Sequence, residues 1–130
     1  MEIKGKLVSG LNRGAKFLSH PLYKNIFTGE VGGEPFFGTL NLRIDNTHTD
    51  QILNKLIYSR EYDNLWYNGI KFGGILILPA YLRFENKEFR CVIVRPKLTS
   101  HEIDTLELVA KISFRETWKL KDGDQLELRF

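Results

Sequence analysis

The stretch "LWYNGIKFGGILILPAYLRFENKEFRCVIV", residues 65–94, decides the fold. Asn68 and Gly69 stand between two arms with alternating apolar residues. This is the strongest short-range signal of a β-hairpin, because a type I′ turn needs positive φ at both central positions. A second pair of such arms flanks "ENKE", residues 85–88. The stretch therefore predicts a meander of three or four strands.

Period-2 alternation continues on both sides of this centre, whereas helical periodicity is scarce. We expect a helix that starts at Pro21 and stops at Gly29, and a turn of helix within residues 45–58. Ser113, with Glu116 three residues on, predicts a short capped helix. Further strands are predicted at 3–9, 38–44, 105–112 and 125–130. Seven or eight short strands without long helices indicate a mainly β fold, either a small closed barrel or a sandwich.

Size and composition fit one compact domain over residues 1–130. The 130 residues are 42% hydrophobic, which is enough for a real core. The longest apolar run, residues 73–82, is short and broken by Pro79, so no membrane span is predicted. The first ten residues lack the features of a signal peptide, and we expect a cytoplasmic protein. A single cysteine, Cys91, excludes an internal disulfide and suits a buried apolar position.

Positive charge is concentrated near the start of the chain. The formal net charge is +3, and Glu2 is the one acid in residues 1–29. Such a segment could meet a polyanion, either nucleic acid or nucleotide phosphates, or it could be a solvated basic surface. The bases of this segment are Lys4, Lys6, Arg13, Lys16 and Lys24.

The glycine-bearing turn "SGLNRGAK", residues 9–16, is a candidate phosphate site. Gly10 and Gly14 would let the backbone approach a ligand closely, and successive N–H groups in such a turn form an anion nest. Arg13 and Lys16 add positive charge. The turn lacks the spacing of a P-loop or a dinucleotide fingerprint, so an ordinary surface turn is the alternative.

Thr39 and Asn41 are candidate metal ligands. They alternate with Leu40 and Leu42, so a strand would place the hydroxyl and the carboxamide on one face. Hard cations such as Mg²⁺ take oxygen ligands and are often held by one or two protein groups together with substrate phosphates. The alternative is a polar sheet face with cross-strand hydrogen bonds.

The segment "PKLTSHEIDTLEL", residues 96–108, carries several groups that could position a polar ligand or accept a proton. Loops are usually polar, so surface decoration is the alternative. The groups in question are those of Thr99, His101, Glu102, Asp104 and Glu107.

Four blocks of the chain, in order and spacing, resemble the archaeal CTP-dependent riboflavin kinases. They are "VSGLNRGAKFLSHPLYKNIF" (8–27), "EPFFGTLNLRID" (34–45), "RPKLTSHEIDTLELVA" (95–110) and "FRETWKLKDGDQLEL" (114–128). The resemblance covers nearly the whole chain and is weakest over residues 46–64. Some relatives carry an N-terminal helix-turn-helix domain, whereas this chain starts directly at the kinase-like part, so we expect a single domain without it.

The resemblance implies a closed six-stranded cradle-loop β-barrel with Greek-key features and short helices. It also implies a phosphotransferase that moves the γ-phosphate of CTP to the 5′-hydroxyl of riboflavin, giving FMN and CDP, with Mg²⁺ as cofactor. A monomer with no membrane or nucleic-acid partner is expected.

By position, the resemblance assigns three sets of site residues. Thr39 and Asn41 would ligate Mg²⁺, and Thr99 and Glu107 would contact the flavin, with Glu107 the first candidate for a general base. The chain departs from the family where it has Ala15 and Lys16, since relatives carry an arginine and an aromatic there. The nucleotide site would be lined by Gly10, Leu11, Asn12, Arg13, Gly14 and Ala15, and by Ile112, Ser113, Phe114 and Arg115.

Two rival functions follow from the same residues. The tail "ISFRETWKLKDGDQLELRF", residues 112–130, also resembles the helix, turn and strand of swapped-hairpin transcription regulators, which are DNA-binding dimers. A pI near 9.0 would suit them. The third candidate is a flavin- or nucleotide-binding protein without kinase activity.

Overall fold

The computed structural model describes residues 1–9, 18–97 and 104–130, with the backbone alone for Asn46. Three α-helices occur in this part of the chain, α1 (Pro21–Val31), α2 (Thr49–Ile57) and α3 (Phe114–Thr117), and a 3₁₀ turn (Asn46–His48) precedes α2. The strands are β1 (Glu2–Val8), β2 (Leu40–Ile44), β3 (Arg60–Tyr62), β4 (Leu65–Tyr67), β5 (Ile70–Phe72), β6 (Ile75–Phe84), β7 (Lys87–Pro96), β8 (Thr105–Val109) and β9 (Gln125–Arg129).

Six of these strands close into an antiparallel barrel. Their order is β6-β7-β8-β2-β1-β9, and β9 pairs again with β6 through Tyr81 and Arg129. β6, β7 and β8 form a meander. β2 pairs with the other edge of β8, although a long stretch of chain separates the two strands, and this is a Greek-key order. The expected fold class is confirmed. β3 lies beside one end of β6, outside the closed ring.

Two apolar cores lie on opposite sides of the barrel wall. The inner core fills the barrel and contains Leu42, Leu82 and Leu108, among others. The outer core lies where α1 covers the wall, because Phe27 and Val31 of the helix pack with side chains on the outside of the strands. Where α1 covers them, strands β6, β7 and β8 are therefore apolar on both faces, as sheets covered on both sides are.

The expected stop of the first helix at Gly29 is wrong, because the helix continues to Val31 and is capped by Gly32 at φ 77°. Phe27 and Val31 are four residues apart, so they lie on one helical face and both pack into the outer core. That burial outweighs the weak helix propensity of Gly29.

The predicted Asn68-Gly69 turn is confirmed, with φ of 50° and 76°. However, the hairpin β4–β5 forms a separate two-stranded ribbon and does not continue into the β6–β7 meander. The chain leaves the ribbon at Gly73, whose carbonyl accepts from the Tyr23 hydroxyl at 2.7 Å, and at Gly74, whose carbonyl accepts from the Lys97 N–H at 2.9 Å. These contacts fix the point at which the chain changes sheets.

Gly5 is the position at which β1 and β2 approach most closely inside the barrel. A Cβ atom at Gly5 would lie 2.6 Å from Leu42 Cγ and 2.9 Å from the Arg43 carbonyl oxygen. Real Cβ atoms do not come so close to other heavy atoms, so this wall of the barrel requires glycine. A Cβ at Gly29, by contrast, would meet nothing within 4 Å.

We therefore expect opposite effects from two glycine-to-alanine substitutions. Gly5→Ala should lower the free energy of unfolding by about 1–3 kcal/mol, because the added methyl group overpacks the barrel. Gly29→Ala should raise it by about 0.5–1 kcal/mol, because alanine loses less entropy in a helix. Chemical denaturation followed by circular dichroism measures both, and a Gly5→Ala variant as stable as the unmodified protein would contradict the close packing.

Candidate functional site

One row of residues crosses three neighbouring strands of the barrel wall. Asn41 of β2 lies directly opposite Val8 of β1 on one side and Glu107 of β8 on the other. Directly opposed residues in an antiparallel sheet point to the same face, with Cα atoms about 4.5–5.5 Å apart. The structure thus brings together Asn41, a predicted metal ligand, and Glu107, a predicted flavin contact.

This row lies on the outer face of the barrel. Leu40 and Leu42, which flank Asn41, belong to the inner core, as do Leu106 and Leu108, which flank Glu107. Since side chains alternate along a strand, Asn41 and Glu107 point outward. Asn41 is nevertheless only 6% exposed.

The side-chain oxygen of Asn41 is buried and accepts no hydrogen bond within the described part of the chain. An unsatisfied buried acceptor costs about 1–3 kcal/mol, so each one requires an explanation, and a bound ion is one of them. A carboxamide oxygen is a ligand that Mg²⁺ accepts. The arrangement therefore fits the predicted metal role.

Thr39 precedes β2 and lines a cleft together with residues 112–115. Thr39, one of the two predicted metal ligands, thus borders the second predicted nucleotide block, which contains Ile112, Ser113, Phe114 and Arg115. Among residues 1–9, 18–97 and 104–130 no group of three or more His, Cys, Asp or Glu side chains could hold a metal. A cation here would therefore rely on few protein oxygens and on oxygens of the substrate.

Arg115 ties this block to the end of β1. Its guanidinium Nη2 donates to Asp122 Oδ1 at 2.6 Å and, at 3.4 Å, to the carbonyl oxygen of Val8. The hydroxyl of Ser9 donates to the other oxygen of Asp122. Ser9 directly precedes residues 10–15 in the sequence, so Arg115 and Asp122 hold the residue that comes before the first predicted nucleotide block.

The sequence does not single out Asp122, because an Asp-Gly pair, here 122–123, is in itself typical of a turn. The turn is present, with Gly123 at φ 92°. One sequence feature could have indicated Asp122. Its carboxylate lies in a turn between a helix and a strand, beside a block assigned to nucleotide binding.

Two sets of predicted residues lie outside the described residues. They are the block Gly10–Ala15, namely Gly10, Leu11, Asn12, Arg13, Gly14 and Ala15, and the flavin contact Thr99. Their proposed roles stay predictions.

Other side chains that can carry chemistry have structural roles. Cys91 is fully buried in the inner core, and burial raises the pKa of its thiol to about 12, so no reactive thiolate is present at neutral pH. His20 caps α1, because its Nδ1 accepts from the Leu22 N–H at 3.2 Å. No helix in the described residues is both long and apolar enough to cross a membrane.

Comparison with known proteins connects this site with one family. The family model CTP-dep_RFKase, described as "Domain of unknown function DUF120", matches residues 7–130. The chain is 35% identical over 130 residues to a riboflavin kinase of Methanobrevibacter smithii, and the match covers 100% of both chains. It is also 35% identical over 130 residues to a riboflavin kinase of Ignicoccus hospitalis, covering 98% of this chain and 70% of that one.

A riboflavin kinase of Methanoculleus marisnigri is longer. It is 34% identical over 128 residues, which is 97% of this chain and 55% of that protein, so the chain spans about half the length of this relative.

We expect Asn41→Val to leave the fold intact and to raise the free energy of unfolding by about 1 kcal/mol. The substitution removes a buried oxygen without a hydrogen bond and places a β-branched residue in a strand. Arg43→Val is the matched control for the effect of a β-branched residue in the strand, because Arg43 lies on the same face of β2 but is exposed. Thermal and urea denaturation measure the difference, and a marked loss of stability in Asn41→Val alone would show that the oxygen has a structural partner.

We further expect the Ser9–Asp122–Arg115 link to depend on pH. The Ser9 hydroxyl, and then the Arg115 guanidinium, hold the pKa of Asp122 below its ordinary value. A lowered pKa in the folded state stabilises the protein above the unfolded-state pKa of about 4, and this contribution is lost as the pH falls through the folded-state pKa. Asp122→Asn should thus be less stable than the unmodified protein at neutral pH and equal to it in strong acid.

Urea denaturation over a range of pH measures this difference, and Arg115→Gln should give a smaller change of the same sign, because the hydrogen bond from Ser9 to Asp122 remains. A stability difference that stays constant from neutral to acidic pH would contradict the role of Asp122.

Proposed function

This chain belongs to the CTP-dependent riboflavin kinase family, and we propose that it transfers the γ-phosphate of CTP to the 5′-hydroxyl of riboflavin, giving FMN and CDP. The relatives in Methanobrevibacter, Ignicoccus and Methanoculleus are named riboflavin kinases. The enzyme would be a phosphotransferase that uses Mg²⁺.

The observation that carries the proposal is the buried oxygen of Asn41, which has no hydrogen-bond partner among the described residues and whose residue lies directly opposite Glu107. It supports a site in which a cation and the acceptor hydroxyl meet on one patch of the barrel wall. Phosphoryl transfer requires little covalent chemistry from the protein, and alignment of the attacking and leaving oxygens is the main requirement.

Thr39 and Asn41 would hold Mg²⁺, which neutralises charge on the transferring phosphate when it is bound. The backbone amides and cations of residues 10–15, together with residues 112–115, would hold the phosphates and the base. Arg115 has Asp122 as a partner, so we assign it mainly to holding the two nucleotide blocks together.

Glu107 would bind the riboflavin 5′-hydroxyl and take up its proton as the new P–O bond forms. A carboxylate in this position can do both, and its place opposite Asn41 would set the hydroxyl next to the phosphate that the cation holds. Thr99 would contact the same substrate from the segment that leads into β8.

The DNA-binding alternative fits the structure less well. In this chain β9 closes the barrel by pairing with β1 and β6 of the same chain. The segments around residues 38–44 and 99–108, which have no part in swapped-hairpin regulators, carry the row that contains Asn41 and Glu107. A flavin- or nucleotide-binding protein without turnover stays the second candidate.

The decisive test is to incubate the purified protein with riboflavin, Mg²⁺ and either CTP or ATP, and to look for FMN by chromatography. We expect FMN with CTP. Asn41→Val, which should fold, should lose at least about a hundredfold in rate, since it removes a cation ligand, whereas Arg43→Val, at the exposed position on the same face of β2, should keep the rate.

The possible results separate the candidates. No FMN with any nucleotide would overturn the kinase proposal, and binding of riboflavin or CDP in that case would favour the non-catalytic candidate. Near-normal turnover in Asn41→Val would remove the metal role from Asn41 while leaving the activity in place.

A further inference from the structure

The connection between β7 and β8 is held at both of its ends by other parts of the fold. At its start, the Lys97 N–H donates to the Gly74 carbonyl at 2.9 Å. At its end, the carbonyl of Asp104 accepts from the Ile44 N–H at 2.8 Å. Ile44 belongs to β2, the strand that carries Asn41. Both ends of the connection are therefore fixed relative to the barrel wall.

The side chain of Lys97 makes a second, ionic attachment at the start of this connection. Its ammonium group donates to a carboxylate oxygen of Glu61 and, at 3.0 Å, to one of Asp63. These bonds, the one to Glu61 most, raise the pKa of Lys97, so the ammonium group is charged at neutral pH. A Cβ at Gly74 would lie 2.9 Å from the Tyr62 carbonyl oxygen and 3.1 Å from Lys97 Cδ. Glycine at position 74 thus lets the lysine chain lie close against the turn that follows β3.

β3, which carries Glu61, is itself held on α1 by a buried carboxylate. The Tyr62 hydroxyl donates to Glu30 Oε1 at 2.5 Å, and Glu30 is only 4% exposed. The guanidinium group of Arg60 lies 3.5 Å from the other oxygen of Glu30. Glu61 stands between Arg60 and Tyr62 in the strand and so points to the opposite face. The strand that binds Lys97 on one face is therefore fixed by α1 on the other.

The ion pairs of Lys97 lie at the surface. The side chains of Lys97, Glu61 and Asp63 are 34%, 50% and 57% exposed. Ion pairs with this degree of exposure contribute little to stability. Two carboxylates that converge on one ammonium group, next to a backbone hydrogen bond, nevertheless define where the end of β7 lies. The arrangement is thus better suited to positioning the chain than to stabilising the fold.

Thr99, the predicted flavin contact, comes two residues after Lys97 in the sequence. Two residues span at most about 7 Å, so the place of Lys97 limits where Thr99 can lie. We propose that Lys97 is a positioning residue for riboflavin, because its attachment to Glu61 and Asp63 fixes the point from which the chain leads to Thr99. A binding segment whose end is already fixed loses less entropy when the ligand binds. The inference rests on the proposed function, in which Thr99 contacts the flavin.

The test compares variants that break the attachment from either side. Lys97→Met removes the charge but keeps an unbranched side chain, and Lys97→Arg keeps a cation that can bind both carboxylates. The double variant Glu61→Gln/Asp63→Asn removes the charges of the partners and leaves Lys97 in place. Lys87→Met is the matched control, since Lys87 is an exposed lysine at the opposite end of β7, with its ammonium group 5.9 Å from the centroid of the Phe84 ring.

Riboflavin binding is measured by the change in flavin fluorescence, and CDP binding by titration calorimetry, both with Mg²⁺ present. Lys97→Met and the double variant should each weaken riboflavin binding by about five- to tenfold, the size expected when a binding segment loses a fixed end. CDP binding should stay within about twofold, because Arg115 of the nucleotide block has its partners elsewhere, at Asp122 and Val8. Lys97→Arg and Lys87→Met should bind riboflavin as the unmodified chain does.

Steady-state kinetics provide a second readout that a loss of stability alone would not give. Lys97→Met should raise the KM for riboflavin by about the same factor as the dissociation constant, and it should leave the KM for CTP unchanged.

Several results would overturn the inference. A loss in Lys97→Met with normal binding in the double variant would do so, because Lys97 would then contact the ligand itself. Equal losses of riboflavin and CDP binding would do so too, since they would indicate general damage to the fold. Unchanged riboflavin binding in Lys97→Met, or a loss as large in Lys97→Arg or Lys87→Met, would have the same consequence.

Riboflavin binding is measured without turnover, so this inference and the kinase proposal can fail separately. A chain that binds riboflavin in a manner that depends on Lys97 and its two partners but forms no FMN would contradict the kinase proposal and leave this inference standing. A chain that forms FMN while Lys97→Met keeps its affinity and KM for riboflavin would contradict this inference alone.

Discussion

The double pairing of β9, with β1 on one edge and with β6 on the other, is the constraint on which the structure depends. It closes the sheet, so none of the six barrel strands is left with a free edge along its whole length. Closure also fixes the register of every strand, because a slip of one residue would turn the inner core outward. The same register places Asn41 opposite Glu107. The site is thus a consequence of barrel closure, although Asn41 and Glu107 are far apart in the sequence.

The wall that carries the candidate site combines rigidity with a buried acceptor, the Asn41 side-chain oxygen, that has no hydrogen-bond partner in the described part of the chain. Residues on both sides of Asn41 and Glu107 belong to the inner core, which holds the backbone of β2 and β8 in place. A ligand pair on such strands has little freedom to move, and this favours precise positioning. A buried acceptor that is left without a hydrogen bond lowers stability. In the proposed function, binding of a cation would offset this cost, and such an exchange of stability for function is common in proteins.

Local patterns predicted the local structure well. The Asn68-Gly69 turn, the Ser113 cap and the alternating strands all follow from short-range physics, and so they could be identified without a structure. Gly29 was misjudged because a tertiary contact, the packing of Val31 in the outer core, extends the helix past it. The cross-strand pair of Asn41 and Glu107 could not be derived from periodicity either, because register depends on how the whole sheet closes. The family resemblance pointed to both residues, but only the fold shows that they lie opposite each other.

The positive charges that would bind the nucleotide differ in whether they already have a partner within the protein. Arg115 is bound to Asp122, which already balances most of its charge. In the proposed function, its contribution to phosphate binding would be smaller than that of a free cation, and its hydrogen bond to the Val8 carbonyl, together with the bond from Ser9 to Asp122, would give it a positioning role. The remaining negative charge of a triphosphate would then be met by a cation at Thr39 and Asn41 and by the basic residues of the segment that follows β1. In this way a site with few carboxylates and a modest net charge of +3 would serve a strongly anionic substrate.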